Sequence, residues 1–134
     1  MSVRGVQDEL AIRDLVARLA RHADADDVDG YVALFTHDAS WEMPGAERRG
    51  HDDIRAGAVE RRAAGVVGPG THTRHVVGTV TVDLDGDRAR AASTWQFWVD
   101  TATAPRPALM GTYDDTFVRT SAGWRLARRV IDIG

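Results

Sequence analysis

From Thr71 onward the chain reads as four strand-forming runs, THTRHVVGTVTVDL, RARAASTWQFWVD, ALMGTYDDTFVRT and GWRLARRVIDI, all rich in valine, threonine and aromatic residues. Asp85-Gly86-Asp87 and Ser121-Ala122-Gly123 suit tight hairpins, whereas TATAPRP (101–107) is a longer, proline-containing connection. Runs joined this way make an antiparallel meander. A sheet of that size must bury one face, so the residues before Thr71 have to supply a covering layer.

They are suited to it. Residues 8–23 place Ile12, Leu15, Val16, Leu19 and Ala23 on one helical stripe, with Arg13, Asp14, Arg18 and Arg21 facing elsewhere. A second short helix is predicted from Asp29 as N-cap through Tyr31, Leu34 and Phe35, closed by Thr36, His37 and Asp38. ASWEM (39–43) then alternates as a short strand and meets a turn at Pro44-Gly45. GHDDIRAGAVERRAAG is predicted to be a helix, because its early acidic residues and late arginines match the helix dipole. Helices first and a long meander after is an α+β order, with helices on one face of a curved, mostly antiparallel sheet. No internal repeat or linker divides the 134 residues, so one domain over 1–134 is expected.

What the chain lacks narrows its chemistry. It has no cysteine, which excludes thiol nucleophiles, disulfides and thiolate metal ligands. All 17 basic residues are arginine, so Schiff-base chemistry and a lysine general base are excluded as well. The formal charge of −3, with both signs interspersed, carries no footprint for nucleic acid or an anionic membrane. No apolar run approaches the ~20 residues of a membrane span, and a cytoplasmic location is expected. GVVGPG (65–70) does not lead from a strand into a helix, so it reads as a mobile loop and not as a phosphate cradle. It and TATAPRP lack apolar anchors and flank the strands of the meander.

Strand alternation sorts the meander into two faces. Trp95 and Phe97 share one face, as do Leu109, Gly111, Tyr113 and Asp115, and as do Arg129, Ile131 and Ile133. The opposite rows carry Thr94, Gln96 and Trp98, then Thr112, Asp114 and Thr116, then Arg128, Val130 and Asp132. The first set is apolar and aromatic, yet it contains Arg129 and Asp115, with His75 as a further candidate. Ionisable groups in a small interior need partners, which points to a polar-lined cavity more than to a dry core.

The element order, together with LVARLARHADADDVDGYVALF, DASW, TRHVVG, GTYDDTFVR and GWRLARR, resembles the SnoaL-like proteins of the nuclear-transport-factor-2-like cone fold over nearly the whole chain. Scytalone dehydratase, hexachlorocyclohexane dehydrochlorinase, ketosteroid isomerase and polyketide cyclases belong to that group. The resemblance implies the cone fold. It also implies that Asp24 occupies the place of the first-helix aspartate of the dehydratase and the dehydrochlorinase, and that His75 matches the histidine paired with it. Trp41 and Arg129 are similar to pocket residues of the dehydrochlorinase. The chain departs from these relatives at Leu19, where the dehydrochlorinase has a lysine, and at Met43 and Ala23, which fall where the dehydratase has tyrosines.

Read without the family, Asp24 serves equally as a helix cap or a solvated carboxylate, and His75 as a core histidine. Read with it, the two form a general-base dyad. Imidazole, with an ordinary pKa of ~6.5, is mostly neutral at pH 7, and a carboxylate on its other nitrogen fixes the tautomer and stabilises the imidazolium. Arg129 would stabilise oxyanion character or anchor Asp24. Trp41, Met43, Trp95, Phe97, Leu109, Tyr113 and Ile131 would line a pocket for a flat or polycyclic hydrophobic substrate. Asp26, Asp27 and Asp29 are assigned to capping and turns. His72 falls on the face opposite His75, so HTRH is a poor zinc clip, and neither metal nor cofactor is expected. The leading expectation is a cofactor-independent lyase or isomerase acting on a small hydrophobic substrate by dehydration, elimination, isomerisation or cyclisation. The alternatives are a non-catalytic ligand-binding or assembly module and an epoxide hydrolase, whose asparagine partner this chain lacks. The outward row containing Trp98, Thr112, Asp114 and Thr116 is expected to support a homo-oligomer, with a dimer favoured.

Overall fold

The computed structural model describes residues 2–134. Helix α1 runs from Val3 to Asp24, with Ile12, Leu15, Val16 and Leu19 buried on the stripe expected from the sequence. It begins earlier than its periodicity suggests because the Ser2 side chain accepts a 2.9 Å hydrogen bond from the Gly5 amide, a cap that the apolar pattern cannot reveal.

The second helix corrects the sequence reading. Helix α2 spans Val28–Val32 and its N-cap is Asp27, whose carboxylate accepts from the Gly30 amide at 2.9 Å. Asp29 lies inside the first turn and pairs with Arg55. Phe35 does not close this helix but opens strand β1 (Phe35–Met43), which takes in Thr36, His37 and Asp38. Five helical residues cannot sustain a helix alone, and pairing with the neighbouring sheet overrides local propensity from residue 35 onward. A short strand β2 (Ala46–Arg49) pairs back on β1 through the Pro44-Gly45 turn. Helix α3 (His51–Ala63) has Asp52 and Asp53 in its first turn and Arg61 and Arg62 in its last.

The meander follows as β3 (Arg74–Asp85), β4 (Arg88–Val99), β5 (Arg106–Thr120) and β6 (Gly123–Ile133). The six-stranded sheet has the order β2-β1-β6-β5-β4-β3. Every pairing is antiparallel except β1 with β6, where a strand from the first half of the chain lies parallel to the last one. Register shifts interrupt β3–β4, β4–β5 and β5–β6, and at the first of them Thr79 takes a φ of 47°. Irregularities of this kind bend strands and raise twist, which is what wraps the sheet around α1.

Ile12 and Leu19 of α1 and Phe117 and Leu126 of the sheet are fully buried against one another's layers. Each side chain of that size contributes roughly 1.5–3 kcal/mol on burial. At the far end α1 is fastened by Asp8. Its carboxylate accepts from both terminal nitrogens of Arg119, at 3.0 and 2.7 Å, and from the Trp124 indole at 3.0 Å. No helix among the described residues is long and apolar enough to cross a membrane.

Candidate active site

The curved sheet leaves a cavity of about 180 Å³ between its concave face and the ends of α1, α2 and α3. Trp41, Met43, Trp95, Phe97, Leu109, Tyr113 and Ile131, all expected from alternation, line it together with His75 and Arg129. Leu109 sits at the rim, being 48% exposed. The aromatic wall depends on one small residue. Trp95 lies opposite Gly111 in the β4–β5 ladder, and a Cβ at Gly111 would sit 2.7 Å from the Trp95 ring. Glycine therefore lets the indole cross β5, donate to the Thr112 carbonyl at 3.2 Å, and stack on Tyr113 with ring centres 6.0 Å apart.

Asp24, the last residue of α1, meets His75 near the start of β3. The His75 amide donates to Asp24 Oδ2 at 2.9 Å, and His75 Nδ1 lies 2.7 Å from Oδ1. An ionised carboxylate only accepts, so this contact places the ring proton on Nδ1 and leaves Nε2 as the basic nitrogen. The ring lines the cavity, packed against Phe97 with centres 4.9 Å apart, and Nε2 has no protein partner among the described residues. Asp24 stands behind His75 rather than in the cavity lining, and two contacts from that one residue take up both of its oxygens.

Arg129 does not anchor Asp24. Its Nε and Nη2 donate to the two oxygens of Asp115 at 2.8 and 2.9 Å, across the β5–β6 ladder, and both residues are buried. Burial works against the Arg129 charge, but the Asp115 carboxylate outweighs it and holds the guanidinium more firmly protonated than usual. Its flat face lies 3.7 Å from the centre of the Tyr113 ring. Burial in turn pushes the Tyr113 hydroxyl up to about 12, against the opposing pull of Arg129, so this wall stays neutral at physiological pH.

Several cavity residues were not anticipated: Tyr31 on α2, Arg61 and Arg62 on α3, and Val66 and Val67 beyond it. Val67 is buried, so GVVGPG does have an apolar anchor, contrary to the sequence reading. Arg62 donates to the carbonyls of His22 and Ala25, each at 2.7 Å, and so caps the end of α1 that carries Asp24. No local pattern signals these residues, because two neighbours ~100° apart on a helix can both face solvent and only packing turns Arg61 and Arg62 inward. Among the described residues no group of three or more histidine, aspartate or glutamate side chains is placed to hold a metal ion.

Solved structures share this architecture. A nuclear-transport-factor-2-like protein with a cystatin-like fold from Novosphingobium aromaticivorans superposes with a TM-score of 0.86 at 28% identity, covering 98% of this chain and 84% of that one. A scytalone dehydratase candidate from the same organism superposes with a TM-score of 0.79 at 19% identity, covering 100% and 89%, a likeness of fold alone. In sequence, an uncharacterised protein of Mycobacterium tuberculosis is 30% identical over 132 residues, 97% of this chain and 88% of that protein, and its Mycobacterium bovis counterpart matches equally. The SnoaL-like domain model matches residues 4–130, nearly everything from α1 to β6, and the chain accordingly belongs to the SnoaL-like domain family.

Proposed function

We propose that the cavity is the active site of a cofactor-independent lyase or isomerase in which His75 Nε2 removes a proton from carbon. The observation that carries this reading is the pairing of Asp24 with His75 Nδ1 at 2.7 Å, beside an Nε2 that lines an aromatic cavity with no protein partner among the described residues. Asp24 fixes the tautomer and stabilises the imidazolium formed when Nε2 takes the proton. In a dehydration, the C–H electron pair forms the new double bond, the hydroxyl on the adjacent carbon departs, and the imidazolium returns its proton to that oxygen as water leaves. In an isomerisation, the same proton goes back to a different carbon. Dehydration, the reaction named for the Novosphingobium candidate, is the form we favour.

Cavities for drug-sized ligands run to roughly 300–1,000 Å³. A cavity of about 180 Å³ therefore suits a substrate of one or two rings better than a larger polycycle. Trp95 and Tyr113, stacked on each other, would form one aromatic wall against it. Arg129, held by Asp115, sits beneath Tyr113 as a fixed positive charge that favours oxyanion character in the cavity.

The test is solvent exchange. Small cyclic ketones and β-hydroxy ketones are incubated with the protein in deuterium oxide, and deuterium next to the carbonyl is followed by NMR. The wild type is expected to accelerate incorporation, and His75→Ala to lose at least about 100-fold of that acceleration. Equal incorporation by both proteins would overturn the assignment of His75 as the base.

A further inference from the structure

Among the described residues, the charged groups that line the cavity are engaged, with one exception. His75 is held by Asp24, Arg129 by Asp115, and Arg62 by the carbonyls that end α1. Arg48, which approaches Gly57 beside Arg61, takes Asp53 and Glu60. Arg61 has no ion pair and no hydrogen bond among the described residues. Its guanidinium lies over the Trp41 ring, 4.8 Å from the centre, and lines the cavity. Burial, the largest influence on it, pulls its pKa below the usual arginine value.

Arg61 is half-buried; shielding part of a guanidinium from water without a directly paired carboxylate is unfavourable, and arginine does not relieve it by deprotonating at neutral pH. The Trp41 ring satisfies one face of the ion and leaves its N–H edge unused, the edge that matches a carboxylate with two parallel hydrogen bonds. Gly57, one turn earlier on α3, leaves room beside two guanidinium groups, since a Cβ there would sit 3.1 Å from both Arg48 Nε and Arg61 Nη1.

We propose that Arg61 is an anion-binding residue of the cavity, and that the substrate is a one- or two-ring, largely apolar carboxylic acid whose carboxylate docks on Arg61 while its rings lie against Trp95 and Tyr113. This deepens the reading of the cavity as a substrate site and rests on it. The other charged groups that line the cavity, His75, Arg129 and Arg62, are each engaged by the protein, so a carboxylate entering it meets one cation that has no direct carboxylate contact among the described residues.

The probe pair is 2-naphthoate and 2-naphthamide, of nearly equal shape and differing in charge, titrated at pH 7.5 by calorimetry. The wild type is expected to bind the acid about tenfold or more tightly than the amide. Arg61→Met should abolish that preference while amide affinity stays within about twofold, and Arg61→Lys should keep part of it. Because Arg61 leaves no charge stranded among the described residues and methionine can still pack on the Trp41 ring, Arg61→Met should melt close to the wild type, an outcome that an arginine holding an ion pair would not give. His75→Ala should retain the preference for the acid, so a failure of the exchange experiment and a failure of this one are separable. No acid binding by the wild type at about 1 mM, equal affinity for the two probes, or a preference that survives in Arg61→Met would each overturn the proposal. Should Arg61→Met not fold, an Arg61→Lys protein with an undiminished preference would overturn it equally.

Discussion

Asp24 gives both of its carboxylate oxygens to His75, one to the backbone amide at 2.9 Å and one to the ring at 2.7 Å. The two contacts fix the carboxylate's plane as well as its position, so the imidazole is oriented before any substrate arrives. With a substrate in hand, His75→Ala and Asp24→Asn should each lower turnover by roughly 10²–10⁴-fold. Groups that act as a unit are non-additive, so the double variant should be little worse than the poorer single one. Asp26→Asn and Asp27→Asn, at the turn and the α2 cap, should leave turnover per folded molecule within about twofold. Steady-state kinetics of the five proteins decides it; a double variant whose losses multiply would break the dyad apart.

Arg62 acts on the same residue from behind. Its guanidinium holds the carbonyls of His22 and Ala25 on either side of Asp24. Arg62→Leu should destabilise by about 2 kcal/mol through lost charge-assisted hydrogen bonds. It should also lower kcat with little change in KM, because the carboxylate it positions meets His75 and not the substrate. Thermal melts paired with kinetics on the folded fraction check this, and an unchanged kcat would reduce Arg62 to a purely structural cap.

The Arg129–Asp115 pair should behave as a buried couple. Arg129→Met strands the fully buried Asp115 carboxylate and should cost roughly 3–5 kcal/mol. Combining it with Asp115→Leu should recover much of that loss, since neither charge then remains unpaired. Chemical denaturation of the two single variants and the double variant measures the coupling, and simple additivity would contradict it.

Asp8 sets an acid limit. Hydrogen bonds from Arg119 above all, and from Trp124, hold its carboxyl below the usual value of 3.8. A carboxyl depressed in the folded state adds stability at every pH above its unfolded value, and that contribution disappears as pH falls through the folded value. Asp8→Asn should therefore melt below the wild type at pH 7, and the gap should narrow as pH falls below 3.8 and close once it has passed the lower folded value. Parallel melts across that range test the sign; a gap that widens in acid would reverse it.

The convex face of the sheet predicts assembly. Val76, Gln96 and Met110 stand in one row across β3, β4 and β5, with Val76 46% and Met110 51% exposed, and Trp98 lies in the next outward row. A dimer through this face is the expected state. Light scattering at micromolar concentration should show twice the monomer mass, and Met110→Arg should halve it.

The strands and their faces were legible because alternation is a local property: a residue's side of the sheet follows from its parity in the strand, so Trp95, Tyr113, Asp115 and Arg129 could be placed inward from the sequence. The α1 stripe was legible for the same reason. Asp24 and His75 were singled out by motif resemblance, but their 51-residue separation meant that only packing could bring the two side chains into contact. Tertiary structure also decided what local pattern cannot express. Phe35 became the first residue of β1 because the parallel partner β6, whose Leu126 pairs with it, lies about ninety residues downstream. Arg129 and Arg61 look alike as late arginines on their elements, yet one faces Asp115 across a ladder and the other faces an aromatic ring and an open cavity. Which cation is paired and which is left free depends on neighbours far away in the chain. Charge interactions follow distance in space, and only the fold sets that distance.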